Sequence, residues 1–306
     1  MSVLSVRPAR VSSALLVVAG ILWGTGGLAG AVLQSAGGLE PVPVAAYRLL
    51  VGGVLAVVVV WRLGQLRFLR GRAAIGRLLV SGGLLAAFQA AYQVAVAQIS
   101  VSLATLITIG CVPVFVAVAS GILERRAPSG RTLVAIGGSL VGLVLLSGGP
   151  AGAGGWRTAG GWRTAGGVVM SLLAGAGFAA LTLITARPVA GQHAITSVGL
   201  LVGGLVLLPF ALVDGMGVPL TGEVVGLICY LGVVPTAIAY GAYFVGLRHA
   251  HPTAAALATM LEPLTATVLA VSLHDERLSA AGVLGASLIA GALALHYLAP
   301  RGGGVG

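Results

Sequence analysis

Ten apolar runs divide this chain, each close to the roughly 20 residues that a helix needs to cross a bilayer. They cover 12–33, 42–61, 77–97, 101–122, 131–148, 167–186, 194–213, 223–247, 252–273 and 279–298, bounded by Arg, Pro and Gly-rich breaks. Only 8% of the 306 residues are charged and 58% are apolar, whereas about 25% charge is usual for a soluble domain. Such a chain cannot coat a soluble fold with charge. A cytosolic enzyme, a nucleic-acid binder and a disordered chain are therefore excluded. The expected fold class is an all-α polytopic membrane protein with ten transmembrane helices.

The net charge of +10 comes from 17 basic residues, and all of them are Arg. Most lie between the runs. With the N-terminus inside and the chain alternating, thirteen Arg fall inside and three outside (Arg157, Arg163 and Arg277), while Arg48 lies within the second run. That imbalance follows the positive-inside rule and puts both termini in the cytoplasm of a plasma-membrane protein. The first run resembles a signal peptide, but with nine runs after it an uncleaved signal-anchor is the better reading. Cys111 and Cys229 both fall inside apolar runs, where no disulfide is expected.

The chain also repeats itself. Arg48-Leu-Leu-Val-Gly-Gly-Val54 matches Gly199-Leu-Leu-Val-Gly-Gly-Leu205, and Ala91-Tyr-Gln-Val-Ala95 matches Ala242-Tyr-Phe-Val-Gly246, both at an offset of 151. Trp23 pairs with Phe178 at 155 and Pro113 with Pro263 at 150. The expected halves are 12–148 and 167–299, joined by a Gly-rich linker at 149–166. Five runs is an odd number, so the second half enters from the opposite side, as in inverted-repeat transporters. The linker holds Gly154-Gly-Trp-Arg-Thr-Ala159 and at once Gly160-Gly-Trp-Arg-Thr-Ala165. It reads as a flexible outer loop with Trp156 and Trp162 at the interface. Gly pairs four apart, such as Gly20/Gly24 and Gly138/Gly142, point to closely packed helices.

These residues resemble an EamA-type member of the drug/metabolite transporter superfamily over nearly the whole length, as two EamA units. The resemblance is carried by Ile21-Leu-Trp-Gly24, Arg48, Leu123-Glu-Arg125 and Gly142-Leu-Val-Leu-Leu146 in the first half. In the second it is carried by Leu261-Glu-Pro-Leu264, Asp275-Glu-Arg-Leu-Ser279 and Leu288-Ile-Ala-Gly291. The Glu262-Pro263 pair resembles the branch that includes threonine/homoserine exporters. The chain departs from symmetry in having Gly199 opposite Arg48 and Val112 opposite Glu262, so no single member's substrate carries over. The resemblance implies a ten-helix basket, a central cavity lined by runs 1, 3, 4, 6, 8 and 9, and alternating access.

An ionisable residue in a membrane needs a reason. Glu262 lies about ten residues, or roughly 15 Å, into the ninth run. Pro263 follows it, removing a backbone donor and pushing Glu262 away from helical geometry. A kink or short unwound stretch is expected. There the carboxylate would take a substrate amine or a proton, or else act structurally by bonding to a neighbouring helix. Arg48 could hold a substrate carboxylate, pair with Glu262, snorkel to the outer interface or brace a helix contact. Gln89, Tyr92 and Gln93 share one helical face, as do Tyr240 and Tyr243; such faces line a cavity or bond between helices. Trp23 and Phe178 bracket the cavity or simply pack. Pro113 and Pro263 are candidate hinges or static kinks, and Pro235 another bend. Glu124 and Glu276 read as turn caps, and His249, His251 and His274 as solvated loop residues.

No HExxH, GxSxG, Walker or CxxC motif is present, so no cofactor, catalytic residue or metal ligand is assigned. Transport would run on a gradient. The expected function is a secondary transporter exporting a small metabolite, such as an amino acid or drug-like compound, with proton coupling through Glu262. A flippase for a lipid-linked carrier is the alternative. An intramembrane enzyme would need a second acid, base or ligand beside Glu262. The partners are the substrate, the lipid bilayer and protons, with a homodimer left open and no nucleic acid.

Overall fold

The computed structural model describes residues 6–99, 101–147, 161–187, 189–274 and 279–298. The helices are α1 (Val6–Gly37), α2 (Pro41–Arg62), α3 (Arg72–Gln98), α4 (Val101–Glu124), α5 (Gly130–Leu146), α6 (Gly161–Ala186) and α7 (Gln192–Asp214). The eighth span is α8a (Gly222–Gly232), a π-helical turn Val233–Ile238, and α8b (Ala239–Leu247). The ninth is α9a (Pro252–Ala258) and α9b (Leu261–His274), and α10 is Ala280–Leu298. Among the described residues nine spans are long and apolar enough to cross a bilayer, and α5 is a shorter apolar helix. The chain is an all-α polytopic membrane protein. The readings of Trp156, Arg157, Glu276 and Arg277 lie outside the described residues.

α6 begins at Gly161 and takes in most of the second Gly-Trp-Arg-Thr-Ala copy. Trp-Arg-Thr-Ala contains no helix breaker, and once past the paired Gly it continues as helix. Trp162 stays well exposed at that end.

The packing repeats along with the sequence. α2 packs on α7 and α5 on α10; α3 packs on α6 and α7, as the eighth span does on α1 and α2; α4 packs on α6, as the ninth does on α1. Exchanging each span with the one five further along leaves this set unchanged. Glycine makes the approaches possible. Gly20 faces the carbonyl of Ala258, and Gly175 faces that of Thr108; both partners of one contact are repeat mates of the other. A Cβ at Gly53 would lie 2.6 Å from Leu201 N, and one at Gly204 would lie 2.9 Å from Leu50 N. These are mates as well, and no larger residue fits either place. Gly199, the mate of Arg48, lies against Gly82 of α3.

Of the three prolines singled out, Pro263 and Pro235 lie where their spans are interrupted and Pro113 does not. Pro263 has no N–H for the carbonyl of Thr259, and the N–H of Glu262 takes that carbonyl at 3.0 Å, one residue early. The helix breaks at Thr259–Met260 as a result. Pro235 likewise has no N–H to offer the carbonyl of Leu231 four residues back. The Thr236 hydroxyl donates to it at 2.7 Å inside the π turn. Around Pro113, by contrast, α4 runs as one helix.

Candidate functional site

A cavity of about 120 Å³ sits among the spans. α1 contributes Trp23 and Gly27; α2, Arg48; α3, Phe88, Gln89 and Tyr92; α4, Thr105, Thr108, Ile109 and Val112. Phe178 of α6, Tyr240 of α8b, and Thr259 and Glu262 of the ninth span complete it. The six runs expected from the resemblance all take part, with α2 added through Arg48.

The local chain geometry explains these positions. Glu262 heads α9b directly after the break, so its carboxylate leaves the helix where the backbone is already interrupted. Trp23 packs edge-on against Phe178 at 5.9 Å and Tyr240 at 5.2 Å between ring centres. Phe88 lies 5.2 Å from Phe178. Together these rings form an aromatic wall and floor. Tyr92 shares a 2.6 Å hydrogen bond with Thr105, fixing α3 to α4 at the cavity edge.

The electrostatics are ambipolar. Arg48 and Glu262 bring a guanidinium and a carboxyl group into one cavity. The ion pair found among the described residues is a different one, His251 with Glu124. Two donors in the cavity wall, Trp23 Nε1 and Arg48 Nε, are buried without an acceptor. A buried donor left unpaired costs about 1–3 kcal/mol, so this wall is suited to an incoming acceptor. The chemistry offered is a cation and N–H donors for an anionic group, a carboxylate for a cationic one, and aromatic faces for the rest.

Of the nine residues singled out for this role, Trp23, Arg48, Gln89, Tyr92, Phe178, Tyr240 and Glu262 come together. Gln93 and Tyr243 are not among the lining residues, although the Tyr243 ring packs against Trp23 and Phe178. The Gln93 amide donates to the carbonyl of Pro41 at 2.9 Å, tying α3 to the start of α2. Tyr243 is fully buried one turn below Tyr240, with its hydroxyl 2.8 Å from that of Thr182. Sequence reasoning missed Phe88 and the Thr105, Thr108, Ile109, Val112 stripe. The signals were there: Phe88 precedes Tyr92 by one turn, and the stripe follows i, i+3, i+4, i+7 spacing. His251 is also more than a solvated loop residue. Its Nδ1 accepts from the N–H of Thr253 at 3.3 Å, and its Nε2 lies 3.1 Å from Glu124.

The profile of the EamA-like transporter family matches residues 11–148 and again 165–298. The chain is similar to an uncharacterized transporter, YwfM, of Bacillus subtilis (strain 168), with 27% identity over 294 residues and 95% of each chain covered. A solved crystal structure superposes with a TM-score of 0.78 at 19% identity, covering 94% of this chain and 96% of that one.

Proposed function

The chain belongs to the EamA-like transporter family, and from that premise we propose that it is a secondary transporter exporting a small zwitterionic metabolite, with an amino acid as the plainest case. It works by alternating access in the plasma membrane. Both termini and the Arg-rich loops face the cytoplasm, and Glu262 takes up protons as part of the cycle. The two halves, 12–148 and 167–299, act as inverted repeats around the cavity.

The observation that carries this reading is the meeting of Arg48 and Glu262, without a direct ion pair, in one small cavity. Two unlike charges held apart in a low-dielectric interior are costly, and a ligand bearing both complementary charges relieves each. Arg48 and the Trp23 indole N–H receive the carboxylate; Glu262 receives the ammonium. At about 120 Å³ the cavity is smaller than the roughly 300–1,000 Å³ usual for drug-sized ligands. This favours a molecule of few heavy atoms over a lipid-linked carrier.

The test is counterflow of radiolabelled amino acids in proteoliposomes holding the full chain. Wild type should exchange at least one of them; Arg48→Gln and Glu262→Gln should each lower that exchange by about tenfold or more, since each removes one charged hydrogen bond. Exchange unaffected by both variants would remove the cavity from the transport path.

A further inference from the structure

The spans around the cavity fall into two groups. α3, α4 and α6 pack together on one side; α1, the eighth span and the ninth span pack together on the other. Between these groups the substantial contacts run through α8b and α9a, which meet α4 and α6. α8a and α9b make no comparable contact with α3, α4 or α6. The two groups therefore meet through α8b and α9a, toward the end where the Arg-bearing loops gather and above a cavity of about 1280 Å³ between α1, α4, α9a and α10, and they lack such contacts toward the other end.

Burial of repeat mates says the same. Ala255, Ala256, Leu257 and Thr259 are at most 1% exposed, whereas their first-half mates Thr105, Leu106, Ile107 and Ile109 are partly exposed. Tyr243, Phe244 and Leu247 are buried, while Tyr92, Gln93 and Val96 are partly exposed. Near-equivalent stretches of chain are thus sealed in one half and open in the other.

Where the groups meet, Thr182 of α6 and Tyr243 of α8b share a hydrogen bond of 2.8 Å with both residues fully buried. The Tyr243 ring is held from above by Trp23 at 5.1 Å and Phe178 at 5.7 Å. The mate of Tyr243 is Tyr92, but the mate of Thr182 is Gly27, which has no hydroxyl. The bond therefore has no counterpart when the opposite end closes. His251 and Glu124 also span the two groups at the Arg-rich end, but both are about half exposed, and such pairs contribute little.

We infer that Thr182 and Tyr243 form a one-sided latch that holds the Arg-rich end shut and biases the resting transporter toward access from the opposite face. The latch rests on the alternating-access reading, yet it is testable without any substrate. Full-length protein carrying Cys111→Ala, Cys229→Ala and a reporter Ala255→Cys is placed in lipid nanodiscs and labelled with a membrane-impermeant maleimide. Leu247→Cys serves as a second reporter. Thr182→Val and Tyr243→Phe, which remove one hydroxyl each, should raise the labelling rate about fivefold, the population shift that one net hydrogen bond supports. Thr185→Val should leave the rate unchanged, because that buried hydroxyl bonds its own helix at Leu181. An unchanged rate in both latch variants, or an equal rise in Thr185→Val, overturns the latch. Transport of no tested amino acid would defeat the substrate reading alone.

Discussion

Tyr92 and Tyr243 stand 151 residues apart at matching places in the two halves, and they do different things. Tyr92 lines the cavity with its hydroxyl on Thr105 at 2.6 Å; Tyr243 is buried beneath the cavity with its hydroxyl on Thr182 at 2.8 Å. Each hydroxyl finds its partner on a residue whose mate lacks one, Ala255 for Thr105 and Gly27 for Thr182. The two halves therefore share a scaffold but not a polar network. That difference lets one half shape the open side of the cavity while the other shapes its closed floor.

The scaffold itself depends on glycine at helix crossings. A Cβ at Gly142 would lie 2.7 Å from the carbonyl of Gly285, whereas one at Gly137 on the same helix meets nothing within 4 Å. Gly142→Val should lower the thermal midpoint in detergent by several degrees, corresponding to about 1–3 kcal/mol of overpacking. Gly137→Val should leave it within about a degree, since surface changes away from contacts are near neutral. Light-scattering or dye-based melting of the purified protein decides this.

Trp23 is expected to act through its N–H as well as its ring. Trp23→Phe keeps an aromatic side chain against Phe178 and Tyr240 but deletes the unpartnered donor. Affinity for the transported amino acid should fall by about tenfold, the value of one hydrogen bond to a charged group. The melting temperature should move little. Equilibrium binding of the radiolabelled substrate to purified variants measures this.

The orientation rests on the placing of Arg. With Cys111 and Cys229 replaced, single cysteines at Phe68 and Trp162, both exposed in the structure, should label from opposite faces of intact cells. Phe68→Cys should react only after the membrane is permeabilised, and Trp162→Cys before it. Labelling of both from one face contradicts the topology.

Proton coupling places one demand on Glu262. In proteoliposomes, an imposed pH gradient should accelerate wild-type transport. Glu262→Gln, which cannot exchange a proton, should show the same rate with and without the gradient. A gradient response kept by Glu262→Gln removes this residue from coupling.

Much of this molecule was readable in its sequence, because a membrane turns composition into topology. Runs of about 20 apolar residues have no other stable fate in lipid than helices, and the offsets of 150 to 155 already match Gly20 with Gly175 and Tyr92 with Tyr243 as repeat mates. Arg48 and Glu262 stood out because charge at membrane depth is costly. What could not be read was which faces meet. Gln93 shares a helical face with Gln89 and Tyr92, yet its amide reaches back to Pro41. Thr182 is one threonine among many until α8b delivers Tyr243 to it. Pro113 and Pro263 are alike in sequence, but the helix breaks only at the second, where Glu262 takes the carbonyl of Thr259. Such differences arise from long-range packing, which a local pattern does not encode.

The central claim is that Arg48 and Glu262 each recognise one end of a zwitterion. The most direct measurement is competition against the bound amino acid by its amide, which lacks the carboxylate, and by its N-acetyl form, which lacks the ammonium. Wild type should reject both by about tenfold or more, as sites built around a charged hydrogen bond do when its partner is missing. Arg48→Gln should lose discrimination against the amide but keep it against the N-acetyl form, and Glu262→Gln should do the reverse. Equal discrimination by both variants, or none in wild type, would contradict the account.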